Sequence, residues 1–333
     1  MGNLRHLQLV YPKNNVYLNR MMQRAVKGAM PFDTRTAFHA LRSVSLSHLP
    51  DEEDSRGSFI PSQVLPFFQL PSMRAFSADS VVESTQSEPS DTQSTEAESA
   101  PVVGSSPISE ITLRTSSGSK GMEGLIACCA SLKSFKYQHS DSHLLSEGYR
   151  PSAFYQSLDA SKSCLQSLWL DNGGTHLPFT IAGANETHDE WIGSLTEFTV
   201  LKELRIRLSN LLDIRYQLDP SSPLPDVLPQ SLEALYVEGC KENSLVMLVG
   251  QLKLVLQKRK QQFPRLKRLE IEGFFHDGED EEASGYQSSG SMRERFIRPR
   301  VYEMIEPLRE ACSDAGIDLF LRDRDCPETM GAC

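Results

Sequence analysis

The sequence predicts an α/β solenoid: a curved parallel sheet with helices on its convex side, interrupted by a disordered acidic insertion. Three observations predict it. A short apolar pattern recurs along the chain, the intervals between copies are long enough to hold a helix, and several intervals have helical periodicity.

The recurring pattern is L-x-x-L-x-L with conservative exchange. LRHLQL opens at Leu4, LRSVSL at Leu41, ISEITL at Ile108 and LKSFKY at Leu132. LQSLWL follows at Leu165, LKELRI at Leu201, LEALYV at Leu232 and LKRLEI at Leu266. A weaker copy, LPSMRAF, opens at Leu70 with its last apolar residue one place late. Successive copies start 24 to 38 residues apart, which leaves room for a helix and two loops in each interval. Side chains alternate along a strand, so places four and six of a copy face the core, and places three, five and seven face the concave side.

The intervals supply the helices. SKGMEGLIACCA (119–130) has Ser119 as an N-cap candidate and an apolar stripe. The stretch 243–263 is amphipathic, has a basic last turn and stops at Pro264. The stretch 302–316 ends at Gly316, a C-cap candidate, with Pro307 expected to kink it or mark its start. IDLFLR then reads as a last strand. A strand and a helix repeating every few tens of residues is the signature of leucine-rich repeats. The ninth place, which in such repeats bonds neighbouring turns, holds Ser116, Ser140, Gly173, Ser209, Cys240 and Phe274 from Ile108 onward. Small hydroxyl side chains there are expected to make similar backbone bonds.

Composition divides the chain. Residues 1–76 carry N-terminal repeats, and 108–333 the main array with a C-terminal helix-strand cap. Residues 77–107 are rich in Ser and Thr with acids and no Lys or Arg, so they read as disordered. Within that insertion Ser80, Thr85 and Thr95 each precede an acid by three residues, a pattern that suits an acidophilic kinase. Residues 276–300 run from acidic to basic across a Ser/Gly centre and read as a mobile loop.

The formal net charge of −10 argues against a nucleic-acid partner, because neutralising phosphates requires a basic surface. Seven scattered cysteines fit buried thiols in a reducing compartment rather than a disulfide framework. No apolar run is long enough for a membrane span, and the N-terminus lacks the layout of a signal peptide. The expected location is intracellular, in cytoplasm or nucleus.

The repeats resemble those of fungal F-box-type proteins, which share irregular LxxLxL units of this length and a final helix leading to a strand like AGIDLFL (315–321). That resemblance implies a protein-interaction module that recognises substrates for a cullin-type ubiquitin ligase. The alternative is a stand-alone scaffold that binds a protein partner without ubiquitin chemistry. The F-box itself is not expected within these residues, since Leu4 already opens a repeat strand. A ligase adaptor is a partner only if an F-box lies upstream.

The candidate binding surface is the concave face. Trp169, Arg205 and Tyr236 occupy place five of successive copies, where neighbouring strands put them side by side. Lys136 and Glu270 share that place, Asp171, Arg207 and Glu238 hold place seven, and Arg268 holds place three. Trp, Tyr and Arg are the types most enriched at interface hot spots. No catalytic, cofactor or metal site is expected. HSDSH (139–143) has metal-like spacing but reads as a solvated turn. GSKGMEG (118–124) lacks the order of a phosphate loop, and a helix start suffices.

Overall fold

The computed structural model describes residues 4–11, 16–32, 38–48, 58–83, 102–140, 149–172, 191–214, 219–275, 297–324 and 331–332. Contacts divide the chain into two units: Met1–Leu177 with Glu197–Leu201, and Pro178–Thr196 with Lys202–Cys333.

In the first unit the strands are β1 (His6–Tyr11), β2 (Ser43–His48), β3 (Ala75–Asp79), β4 (Glu110–Ser116), β5 (Ser134–His139) and β6 (Ser167–Asn172). Each pairs in parallel with the next. The helices between them are α1 (Val16–Lys27), α2 (Pro61–Phe68), α3 (Glu123–Ile126) and α4 (Pro151–Ser157). The second unit has β7 (Glu203–Arg207), α5 (Leu208–Leu211), β8 (Ala234–Cys240), α6 (Glu242–Gln262), β9 (Arg268–Gly273), α7 (Pro299–Ala315) and β10 (Asp318–Asp323). Its strands also pair in parallel, and the short β11 (Gly331–Ala332) closes antiparallel on β10.

Pairing aligns the apolar places. Val44, Phe76, Ile111, Phe135 and Leu168 stand in one row, and Leu46, Ala78, Leu113, Tyr137 and Leu170 in the next. In the second unit Leu204, Leu235, Leu269 and Leu319 form one row, and Ile206, Val237, Ile271 and Leu321 the other. All are buried. This is the α/β leucine-rich-repeat architecture that the periodicity predicts. A backbone joint links consecutive copies. The carbonyl at place two accepts from two successive amides of the next copy, as Arg42 O does from Arg74 N at 2.8 Å and Ala75 N at 3.0 Å.

The weak copy is set three places later than the sequence suggests. Phe76, not Met73, pairs with Val44 and Ile111, so the copy reads M-R-A-F-S-A from Met73. Packing decides this: Met73, Phe76 and Ala78 are buried in the same rows as their neighbours.

Of the expected helices, α6 and α7 form close to their predicted bounds, and Gly316 caps α7 with φ of 64°. Pro307 lies inside α7 rather than starting it. The stretch 119–130 is helical only over Glu123–Ile126. Its first turn is prevented by left-handed backbone at Gly121 (φ 70°) and Met122 (φ 56°), so Ser119 caps nothing and is buried instead.

Both low-complexity stretches have ordered margins. Residues 77–83 complete β3 and then bridge: Val81 pairs with Phe59 and Val82 with Ser117. On the far side Ser106 bridges to Cys129. Val81, Val82 and Ser106 are buried, which composition averaged over 77–107 conceals. Ser80 is buried too, with Oγ 3.4 Å from Thr115 Oγ1, so the folded chain withholds it from a kinase. Thr85 and Thr95 lie outside the described residues. At the end of the second stretch Ile297 is buried, and Pro299 opens α7.

The turns after the strands carry the polar joints. Val81 N donates to Ser116 Oγ at 3.0 Å across neighbouring turns, the bond expected of a hydroxyl at the ninth place. Tyr137 Oη accepts from Gly118 N at 2.8 Å and donates to Ser116 O at 3.0 Å. His139 is fully buried beside it, with Nδ1 3.0 Å from Tyr137 Oη and its ring stacked on Tyr149. It is a core residue rather than part of a solvated turn. Asp141 and His143 lie outside the described residues.

Candidate functional site

The places between the apolar rows form the opposite strand face. In the first unit this face is mostly small: Ser45, Ser77 and Thr112 follow one another at place five, and Lys136 and Trp169 continue the row. Lys136 Nζ stands 5.6 Å from the Trp169 ring centroid, a cation–π contact between register partners. Trp169 is half-buried. Beside it Gln138 Nε2 donates to Asp171 Oδ2 at 3.4 Å, and Asp171 is buried.

In the second unit the same face is built from arginines, carboxylates and rings. Arg205 and Tyr236 are register partners. The Arg205 guanidinium pairs with Glu238 through Nε and reaches Glu272 Oε2 at 3.3 Å through Nη2. The Arg268 guanidinium lies 5.5 Å from the Tyr236 ring centroid and 4.3 Å from that of Phe320. Its Nη2 also donates to Glu270 Oε2 at 2.9 Å, and Arg322 Nε stands 2.7 Å from Glu270 Oε1. Arg207 is buried at the end of β7.

Depth separates the two charges. The side chains of Glu238 and Glu270 are 2% and 3% exposed, whereas those of Arg205, Arg268 and Arg322 are 27%, 35% and 26% exposed. A glutamate is short and stays at the floor of the pleat, while an arginine reaches over it and lays its stem on a ring. The layer an approaching molecule meets is therefore guanidinium and aromatic, with carboxylates beneath.

Of the residues the sequence singles out, Lys136, Trp169 and Asp171 stand together in the first unit. Arg205, Tyr236, Glu238, Arg268 and Glu270 stand together in the second. Asp171, Arg207, Glu238 and Glu270 are buried rather than presented, Glu238 beneath Arg205 and Glu270 beneath Arg268 and Arg322. Phe320 and Arg322 belong to the same face and were not among the candidates. Their signal is the last strand itself: Leu319 and Leu321 take places four and six, which puts Phe320 at five and Arg322 at seven.

Cys128, Cys129 and Cys240 are unsuited to nucleophilic work. Burial pushes the Cys129 thiol up to about 12, and it raises Cys128 and Cys240 as well. Among the described residues no group of three or more His, Cys, Asp or Glu is placed to hold a metal ion. Among those residues, too, no helix is long and apolar enough to cross a membrane.

A fold of parallel strands with interleaved helices and a register-aligned apolar pattern defines a class of binding proteins. The family model of the leucine-rich repeat domain matches residues 36–288, and the chain belongs to that family. Such domains are protein-interaction modules and are typically non-catalytic. Comparison with curated proteins and with solved structures found no match.

Proposed function

We propose that the chain captures a protein partner on the strand face, with Trp169 as the anchor in the first unit and Tyr236 as the anchor in the second. The observation that carries this reading is the half-buried state of both rings, each beneath a cation: Trp169 under Lys136 and Tyr236 under Arg268. Rings held this way lose little conformational freedom on binding, so their burial against a partner is retained as affinity. A narrower reading makes the partner a substrate of a cullin-type ubiquitin ligase. It rests on the resemblance of the repeats to those of F-box-type proteins and adds a ligase adaptor to the complex.

The test is capture from cells by the tagged full chain, compared with Trp169→Ala combined with Tyr236→Ala. Arg205 is left intact, because its loss would remove a cation from the buried Glu238 carboxylate. Partners recovered with the wild type and lost with the double variant, at an unchanged unfolding midpoint, support the strand face. Equal recovery by both refutes it. A cullin and its adaptor among the partners supports the ligase reading, and other partners without an adaptor leave the scaffold reading.

A further inference from the structure

We infer that the partner segment docking on the second unit is an acidic peptide, whose carboxylate is taken up by the unbalanced cluster Arg268–Glu270–Arg322. This rests on the strand face being the docking surface and goes further by naming the chemistry it selects. Two guanidiniums share one carboxylate: Arg268 Nη2 reaches Glu270 Oε2 at 2.9 Å, and Arg322 Nε reaches Oε1 at 2.7 Å. The cluster carries one positive charge in excess, and its two guanidiniums bring more N–H donors than one carboxylate can accept.

The contrast within the same face is informative. Arg205 reaches two carboxylates, Glu238 and Glu272, the reverse of two guanidiniums on one carboxylate. The two-to-one cluster lies on β9 and β10, and Phe320 on β10 and Tyr236 on β8 supply flat apolar ground beneath Arg268. A second carboxylate arriving from outside would complete a two-to-two arrangement. It would meet two partly buried guanidiniums, of which Arg268 is held by ring contacts with Tyr236 and Phe320. Asp318 sits across from Arg268 in register, is exposed, and makes no ion pair among the described residues. It supplies a negative field at the rim without filling the position.

The experiment selects binders from a displayed random-peptide library on the purified full chain, then measures the Kd of the selected peptides by fluorescence anisotropy. Enrichment in Asp and Glu is expected, with weaker binding at higher salt. Arg322→Gln leaves Arg268 and Glu270 as a matched pair and removes the excess. It is expected to raise Kd by about tenfold or more, the worth of a charge-assisted bond. Glu270→Gln and Asp318→Asn are expected to lower Kd. Circular dichroism and the unfolding midpoint check that each variant folds, and Asp318→Asn, at an exposed position, serves if the others do not.

Three results would overturn the inference. If the selected peptides are not acidic but are lost on replacing Trp169 and Tyr236 by Ala, the acidic partner is refuted and the strand face stands. If acidic peptides bind Arg322→Gln and Asp318→Asn with wild-type affinity, the cluster does not hold them. Selection of no binder, or of binders indifferent to every strand-face variant, removes both readings.

Discussion

Glu83 is a carboxylate where a carboxylate is costly. It is 8% exposed, and burial raises its pKa above the ordinary carboxyl range. Backbone N–H groups of Lys120, at 2.9 Å, and Met122 oppose that rise, as does the charge of Lys120, while Glu123 adds to it. A carboxyl whose folded pKa exceeds its unfolded value contributes stability below the unfolded value and loses that contribution as pH rises through the folded one. Glu83→Gln keeps an oxygen for the two amides and removes the charge. The variant should match the wild type in acid and exceed it in stability at neutral pH, a difference that urea unfolding at pH 4 and pH 7 measures directly. A variant less stable at pH 7 would mean that the anion's two backbone bonds outweigh its desolvation. Nothing in the sequence around Glu83 signals this role. It reads as one more acid at the head of an acidic stretch, and only the turn folding back from Ser117 encloses it.

At the scale of elements, the strands were legible. Of the three helices expected, two formed near their bounds and one did not, and α1, α2, α4 and α5 were not expected. Strand positions follow from a period of two set between apolar anchors, so a copy without leucine, Met73 to Ala78, can still be found once its neighbours fix the register. A composition-led search instead favours Leu70, three residues early. The helix expected at 119–130 fails for a backbone reason that side-chain periodicity does not encode. Gly121 takes φ of 70°, and a Cβ there would run into the backbone of Ala153 at the start of α4. Gly121→Ala combines left-handed strain with this collision and should cost more than about 2 kcal/mol in a denaturant titration. A neutral result would show that the turn can re-form as the regular helix its sequence suggests. The strand face was legible in the same partial way. The alternation identified Trp169, Arg205 and Tyr236, but not which residues would be covered. That depends on arginine and glutamate differing in length, which hydropathy does not distinguish.

Across the whole molecule, the limits that composition sets for the acidic stretch, 77–107, include residues that pair with the repeats. The chain entering it is fixed by Glu83 N to Ser117 O at 2.8 Å. The chain leaving it is fixed by Gly104 N to Ala127 O at 2.9 Å and Ser106 N to Cys128 O at 2.8 Å. Both margins are thus held by the segment from Ser117 to Ala130. Replacing residues 84–101 by a six-residue Gly-Ser linker, which reaches about 20 Å, should leave the unfolding free energy within about 0.5 kcal/mol of wild type. A larger loss would show that those residues pack on the repeats. The place-two joint has a wider consequence. It is made by main-chain atoms alone: Ser109 O receives Lys133 N and Ser134 N, and Lys133 O receives Gln166 N and Ser167 N, whatever the side chains are. A coupling blind to residue identity lets one turn accept any other that brings apolar groups at places one, four and six. Copies can then be duplicated, lost or exchanged without redesigning the seam, and the outer face is free to be rewritten for each new ligand.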